Sequence, residues 1–197
     1  MRERLCGVGV FSVPMNQKVI PAYFDGFNPL EGVELGRFCL HDELAANAES
    51  WAIARMHKLL RLALPDVRGV LAYSDPVERI DESGVVTKVG HVGTIYKAVN
   101  ATYRGRSSVR TLWISPAGIS FPDRMLSKVR QEERGARYAR LKLAEAGAPG
   151  QWMREAGADY VTRLKECGWL RPLRHPGNLA FTWRFDQRST KRKSNAL

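Results

Sequence analysis

Cysteine is scarce, long apolar runs are missing and acidic residues fall well short of basic ones. Each shortage excludes something. The three cysteines, Cys6, Cys39 and Cys167, are odd in number and widely spaced, so they form neither a disulfide framework nor a zinc pattern and read as thiols of a reducing compartment. No apolar run reaches the roughly 18 residues that a membrane span needs. The opening Met1-Arg2-Glu3-Arg4 leads into a strand-like stretch rather than a signal peptide. The expectation is a soluble, cytoplasmic protein with no membrane partner and no metal. No internal repeat is present.

What the chain has in excess is positive charge, a formal +11 at neutral pH over 197 residues. The excess is uneven: residues 1–123 hold 14 Lys and Arg against 13 Asp and Glu, whereas residues 124–197 hold 17 against 7. A basic segment of this kind is the electrostatic footprint of a phosphate-backbone partner. A solubilising tail, or contact with RNA without specificity, accounts for the same excess. The length suits one domain with extensions, or one domain and a small appendage.

Along the chain, Gly7 to Val13 is an apolar, β-branched run ending at Pro14 and reads as a buried strand. Pro21 to Gly32 reads as a loop, and Glu34 to Leu40 as a second strand. Ile53, Met56, Leu60, Ala63 and Leu64 repeat at three-to-four spacing, with Asn47 as cap and Pro65 as stop, which predicts a helix. Arg68 to Ser74 is a third strand. Val77 to Gly90 reads as an inserted hairpin or irregular loop, followed by a short helix from Val92 to Val99 and strands at Ala101–Arg106 and Val109–Ser115. Helices are predicted over Ser127–Ala146 and Gln151–Cys167, then a strand over Leu179–Phe185. The tail from Asp186 is polar and basic and reads as disordered at its end.

Strand, capped helix, strand, short helix and strand pair is the order of an α/β unit, with ligand sites at the carboxyl ends of strands. Three features fall there. The loop His41 to Ser50 enters a helix N-terminus, where backbone N–H groups and the helix dipole favour phosphate; an Asn-capped junction is also ordinary structure. Asp75 follows a buried strand and can act as base or hydrogen-bond acceptor, or simply form an Asp-Pro turn. His91-Val92-Gly93-Thr94-Ile95-Tyr96 supplies a histidine that titrates near neutrality and a phenol that can protonate a leaving group, although each alone is more often structural. Arg104, Arg106, Lys128, Arg130, Arg174 and the cluster Lys191, Arg192 and Lys193 are candidates for phosphate contact with DNA.

Two resemblances build on these residues. Tyr96-Lys97-Ala98-Val99-Asn100-Ala101-Thr102-Tyr103-Arg104-Gly105 resembles the GNAT signature in which a helix tyrosine precedes a Gly-Phe turn and a strand; Asn100 stands for the glycine and Ala101 for the aromatic. The resemblance implies that Tyr96 protonates a departing thiolate. It also implies that the strand carrying Arg37, Phe38 and Leu40 pairs with a pantetheine arm, and that Ala46, Asn47, Ala48, Glu49 and Ser50 meet a pyrophosphate. Acetyl-CoA or another acyl-type donor is the implied cofactor. The usual loop glycines are absent here.

Longer phrases, among them Leu35-Gly36-Arg37-Phe38, Asn47-Ala48-Glu49-Ser50-Trp51, Ser74-Asp75-Pro76 and His175-Pro176-Gly177-Asn178, are similar to the Mom family of phage DNA-modification enzymes. That similarity implies conversion of the exocyclic amino group of adenine in double-stranded DNA to a carbamoylmethyl derivative, an anti-restriction role and a phage or prophage protein in the bacterial cytoplasm. Tyr96, Asp75 and His91 would be the catalytic set. A direct acetyl transfer leaves an amide carbonyl on nitrogen, whereas a carbamoylmethyl group attaches through a methylene carbon, so plain acetylation is not enough. A GNAT N-acetyltransferase of a protein or small amine, and a DNA-binding relative without catalysis, are the competing readings. The expected fold is a GNAT-like α/β protein with a mixed, mostly antiparallel twisted sheet. Its core is expected over 1–123, with shortened N-terminal GNAT elements and a basic, largely helical extension over 124–197.

Overall fold

The computed structural model describes residues 4–185. The contacts divide the chain into two interleaved units: Met1–Ser74, Val92–Arg106 and Asn178–Leu197 form the first, and Asp75–His91 with Ser107–Gly177 the second. These units do not follow the expected boundary at residue 123. The reason is the strand at Leu179–Arg184, which pairs with strands from the first half of the chain.

In the first unit, β1 (Gly7–Ser12), β2 (Gly32–Leu40), β3 (Gly69–Ser74), β10 (Leu179–Arg184) and β6 (Thr102–Arg106) form a five-stranded sheet in the order β1-β2-β3-β10-β6. Every neighbouring pair is antiparallel except β2 and β3. This is the mixed, mostly antiparallel sheet that the sequence predicts. Strands β3 and β10 are apolar on both faces because both are covered. Val70, Ala72, Phe181 and Trp183 pack with Ile53 and Leu60 of α2 (Ala48–Ala63) and Tyr96 of α3 (Thr94–Ala98). Leu71 and Ala180 pack with Ile20, Phe24 and Phe27. Ile20 belongs to α1 (Val19–Tyr23), a short helix inside a stretch partly read as loop. Pro21 argues for a loop, yet proline is tolerated in a first helical turn, where its missing N–H would have no partner.

In the second unit, β4 (Arg79–Ile80) and β5 (Val86–Lys88) form the expected hairpin. A separate sheet of order β8-β7-β9 joins Ser120–Phe121, Arg110–Ile114 and Arg171–His175. The helix expected over Ser127–Ala146 is two helices, α4 (Asp123–Arg130) and α5 (Ala136–Glu145). They part where Glu132 and Gly135 hold φ of 50° and 95°, a conformation that right-handed helix cannot include. The last helix, α6, starts only at Gly157 and ends at Glu166. Leu126, Val129, Leu143, Tyr160 and Leu164 from the three helices close this unit's core with Phe121 and Leu170.

Candidate functional site

The β2–β3 ladder runs from Gly32 opposite Gly69 to Leu35 opposite Ala72. Beyond Leu35, β2 continues to Leu40 paired with β1, while β3 continues to Ser74 paired with β10. Parallel strands that part in this way leave backbone donors and acceptors at the opening, which an extended ligand can use.

Two helices sit with this parting pair in the same unit. The first, α2, starts behind Asn47, whose side chain makes no cap hydrogen bond. Asn47 therefore offers the first-turn amides no side-chain acceptor, and the 16-residue helix adds its dipole. The second, α3, starts at Gly93, whose φ is 74°. A Cβ there would lie 2.3 Å from the Phe181 ring, so the close approach that Gly93 permits is to the core. Its C-terminal turn closes on Asn100 at φ 61°, with the Ala101 N–H donating to the Tyr96 carbonyl at 2.9 Å. Asn100 thus adopts the left-handed conformation for which glycine is the usual choice.

That turn fixes Tyr96. Its ring is buried, 5.4 Å from Phe181 and edge-on to Trp183 at 5.6 Å. Burial, and then the nearby Glu49 carboxylate, raise its pKa above the ordinary phenol value. The group is therefore a stored proton, suited to giving it to a stronger base formed beside it.

A cavity of about 610 Å3 opens alongside the start of α2. Gly7 and Gly9 of β1, Leu40, Asn47, Ala48 and Arg55 are among its lining. The glycines let the Leu40 and Met56 side chains lie close against β1, where a Cβ on Gly7 would meet Leu40 and one on Gly9 would meet Met56. Of the donor residues expected from sequence, Leu40, Asn47 and Ala48 line this groove, Phe38 packs against the core, and Arg37, Ala46 and Glu49 are exposed. Ser50 donates its hydroxyl to the Asn47 carbonyl at 2.9 Å. An apolar groove ending at a helix N-terminus and an arginine suits an apolar arm with an anionic end.

Asp75 and His91 belong to the second unit. The Asp75 carboxylate binds Arg79 at 2.6 Å and Lys88 at 3.3 Å, and accepts from the Val77 N–H at 3.0 Å. It also meets Nε2 of His175 at 2.8 Å. His175 is fully buried, and its Nδ1 accepts from the Gly177 N–H at 3.1 Å. The proton of the neutral ring is thereby placed on Nε2, which donates to Asp75. Burial raises the Asp75 pKa, but the bonds from His175 and Val77 and the Arg79 charge outweigh it and hold the carboxyl below its usual range. Asp75 is the hub of a cluster, with the His91 N–H donating to its backbone carbonyl at 2.7 Å. The cluster was illegible beforehand because His175 lies a hundred residues away.

The candidate phosphate contacts divide as well. Arg104 and Arg106 are exposed on β6, an edge strand of the first sheet. In the second unit, Lys128 is half-buried, Arg130 pairs with Asp123 at 3.1 Å, and Arg174 is exposed on β9. Lys191, Arg192 and Lys193 lie outside the described residues. Among the described residues no cluster of His, Cys, Asp and Glu could hold a metal ion, and no helix is long and apolar enough to cross a membrane.

Parting strands, a groove at a helix N-terminus and a buried phenol are gathered in one unit of a mixed α/β protein. Comparison with known proteins gives the family. The sequence model of the Mom protein family matches residues 1–149, and the chain belongs to that family. It is 33% identical over 73 residues to the methylcarbamoylase Mom of Escherichia phage Mu, a match covering 37% of this chain and 26% of that protein. The match thus spans about a quarter of the relative's length.

Proposed function

We propose that this protein is a DNA-modifying transferase with a GNAT-like core, which alters the exocyclic amino group of adenine in double-stranded DNA to a carbamoylmethyl-type derivative and so shields phage DNA from restriction in the bacterial cytoplasm. The observation that carries the reading is membership of the Mom family over residues 1–149, supported by the relative named methylcarbamoylase.

The geometry of the first unit fits such a reaction. The groove lined by Leu40, Asn47, Ala48 and Arg55 is the proposed donor site, for acetyl-CoA or another acyl-type molecule. Acyl transfer alone would leave a carbonyl on the adenine nitrogen, so a carbamoylmethyl product requires a further reactant that supplies the amide nitrogen and a bond to nitrogen through the methylene carbon. Backbone groups of β2 beyond Leu35 bind its extended arm, and the first-turn amides of α2 face its anionic end. Tyr96, which holds its proton at neutral pH, gives it to the leaving group. The adenine must leave the base stack to react, which costs a few kcal/mol, offset by phosphate contacts and pocket stacking. Arg104, Arg106, Lys128, Arg130 and Arg174 are the proposed phosphate contacts, with Lys191, Arg192 and Lys193 beyond the described residues.

The test is nucleoside mass spectrometry of host DNA after expression of the full chain. A modified adenine whose added mass corresponds to a carbamoylmethyl group is expected. Unmodified adenine in cells that accumulate folded protein overturns the reading.

A further inference from the structure

The second unit contains a cavity of about 290 Å3 lined by Glu78, Arg79, Ile114, Arg171, Pro172 and Leu173. The β4–β5 hairpin contributes Arg79, and β7 and β9 contribute the other wall. Ile114 and Arg171 are register partners and so share a sheet face, as do Leu112 and Leu173. His175 lies on that same face by strand alternation.

Arg79 is in an unusual state. Its side chain is only 10% exposed. One terminal nitrogen binds Asp75, yet its Nε is buried and has no hydrogen-bond partner among the described residues. A buried cationic donor left without an acceptor is costly, and each such group in a native protein has a reason, among them an ion or ligand that completes it. Much structure is spent on keeping it in place: His175, fully buried and fixed by Gly177, holds Asp75, and Asp75 holds Arg79. Arg171 forms no ion pair among the described residues and is exposed on the cavity. The charged groups around the cavity and its hub are three cations, Arg79, Lys88 and Arg171, and two carboxylates, Asp75 and Glu78.

We propose that this cavity is a phosphate-binding site, in which Arg79 and Arg171 grip the phosphate oxygens while Ile114, Pro172 and Leu173 cover the attached sugar. Guanidinium groups match phosphate in geometry and charge, and the volume approaches the lower end of small-ligand pockets, roughly 300 Å3. Asp75 is then a positioning residue for Arg79. The phosphate belongs either to a strand of DNA, an assignment that rests on the function proposed above, or to a free nucleotide.

The test uses the full chain, titrated with inorganic phosphate and with 2′-deoxyadenosine 5′-monophosphate against sodium chloride of equal ionic strength. Thermal unfolding and calorimetry are the readouts. A rise in Tm with either phosphate probe beyond the chloride control is expected, with affinity about tenfold weaker in Arg171→Gln, which removes a charged hydrogen bond from an exposed position. Arg79→Gln behaves likewise; should it fail to fold, Arg171→Gln still decides. A short DNA duplex separates the sources. If the duplex displaces the nucleotide and Arg171→Gln weakens duplex binding, the site takes a DNA phosphate; if the nucleotide binds and the duplex does not compete, it takes a free nucleotide. No phosphate-dependent shift in the wild type, or an equal shift in wild type and Arg171→Gln, overturns the proposal. Modified adenine in host DNA together with no phosphate response removes this site and leaves the proposed function standing. A phosphate response with unmodified adenine does the reverse.

Discussion

At the scale of single residues, a phenol and an imidazole lie close to Trp183 and depend on burial in opposite ways. Burial keeps Tyr96 protonated, and in the proposed reaction that proton goes to the leaving group. Tyr96→Phe is expected to lower the yield of modified adenine by about a hundredfold or more, the usual worth of a positioned general acid, while thermal unfolding of the variant stays close to wild type. His57 on α2 has its pKa lowered from 6.5 to about 4 by burial. Its ring lies 4.9 Å from Trp183 and 5.4 Å from Phe185, and its Nε2 has no hydrogen-bond partner among the described residues. Because the folded pKa lies below the unfolded one, the unfolded chain takes up the proton first as pH falls. Stability is therefore complete near neutrality and is lost between about pH 6.5 and pH 4, by about 3 kcal/mol. Urea unfolding across that window measures the loss, and His57→Leu is expected to flatten it. Tyr96 was legible in the sequence because its Asn100-terminated turn is a local signal. His57 was not, since alternation along α2 says nothing of the aromatic rings that other elements bring to it.

At the scale of elements, the turn after α3 makes a sharp prediction. Asn100 holds φ 61°, so Asn100→Gly is expected to be neutral in thermal unfolding. Asn100→Val is expected to cost about 1–2 kcal/mol, since a β-branched side chain crowds the carbonyl in that conformation. The elements read well from sequence were those with local punctuation: α2 between Asn47 and Pro65, β3 before Asp75-Pro76, and the alternating β10. Those missed depended on distant partners. β9 includes Pro172, an unpromising strand residue, and exists because Arg171 to His175 pair along the whole of β7. The two-residue β8 likewise exists only as a partner of Trp113 and Ile114. Asp75 stands out in the sequence as a candidate base, and in the structure its carboxylate is committed to Arg79, Lys88 and His175, an arrangement that only long-range pairing reveals.

At the scale of the whole molecule, charge would govern the proposed encounter with DNA. Binding measured over a range of salt is expected to fall linearly in log K against log salt. Arg174→Ala is expected to reduce the slope by about one unit and to weaken binding similarly on all sequences, as for a phosphate contact; an unchanged slope removes Arg174 from the interface. The basic excess after residue 123 was plain in the sequence. Its division was not, because β10 belongs to the first unit and the helices before it to the second. A fragment ending at residue 149 lacks β10, the strand that pairs with both β3 and β6. It is expected to be insoluble or to lack the cooperative unfolding transition of the full chain.

The position of β10 also sets a timetable. About a hundred residues separate β3 from the strand that completes its second edge, and a ribosome needs roughly five to twenty seconds to make them. Throughout that interval the nascent chain carries an apolar strand with a free edge, the configuration most prone to pair with the wrong neighbour. Production of this protein in a host is therefore governed by how fast translation passes residue 184 and by how well chaperones hold the emerging chain, and slowing translation between residues 75 and 178 should lower the soluble yield even with the amino-acid sequence untouched.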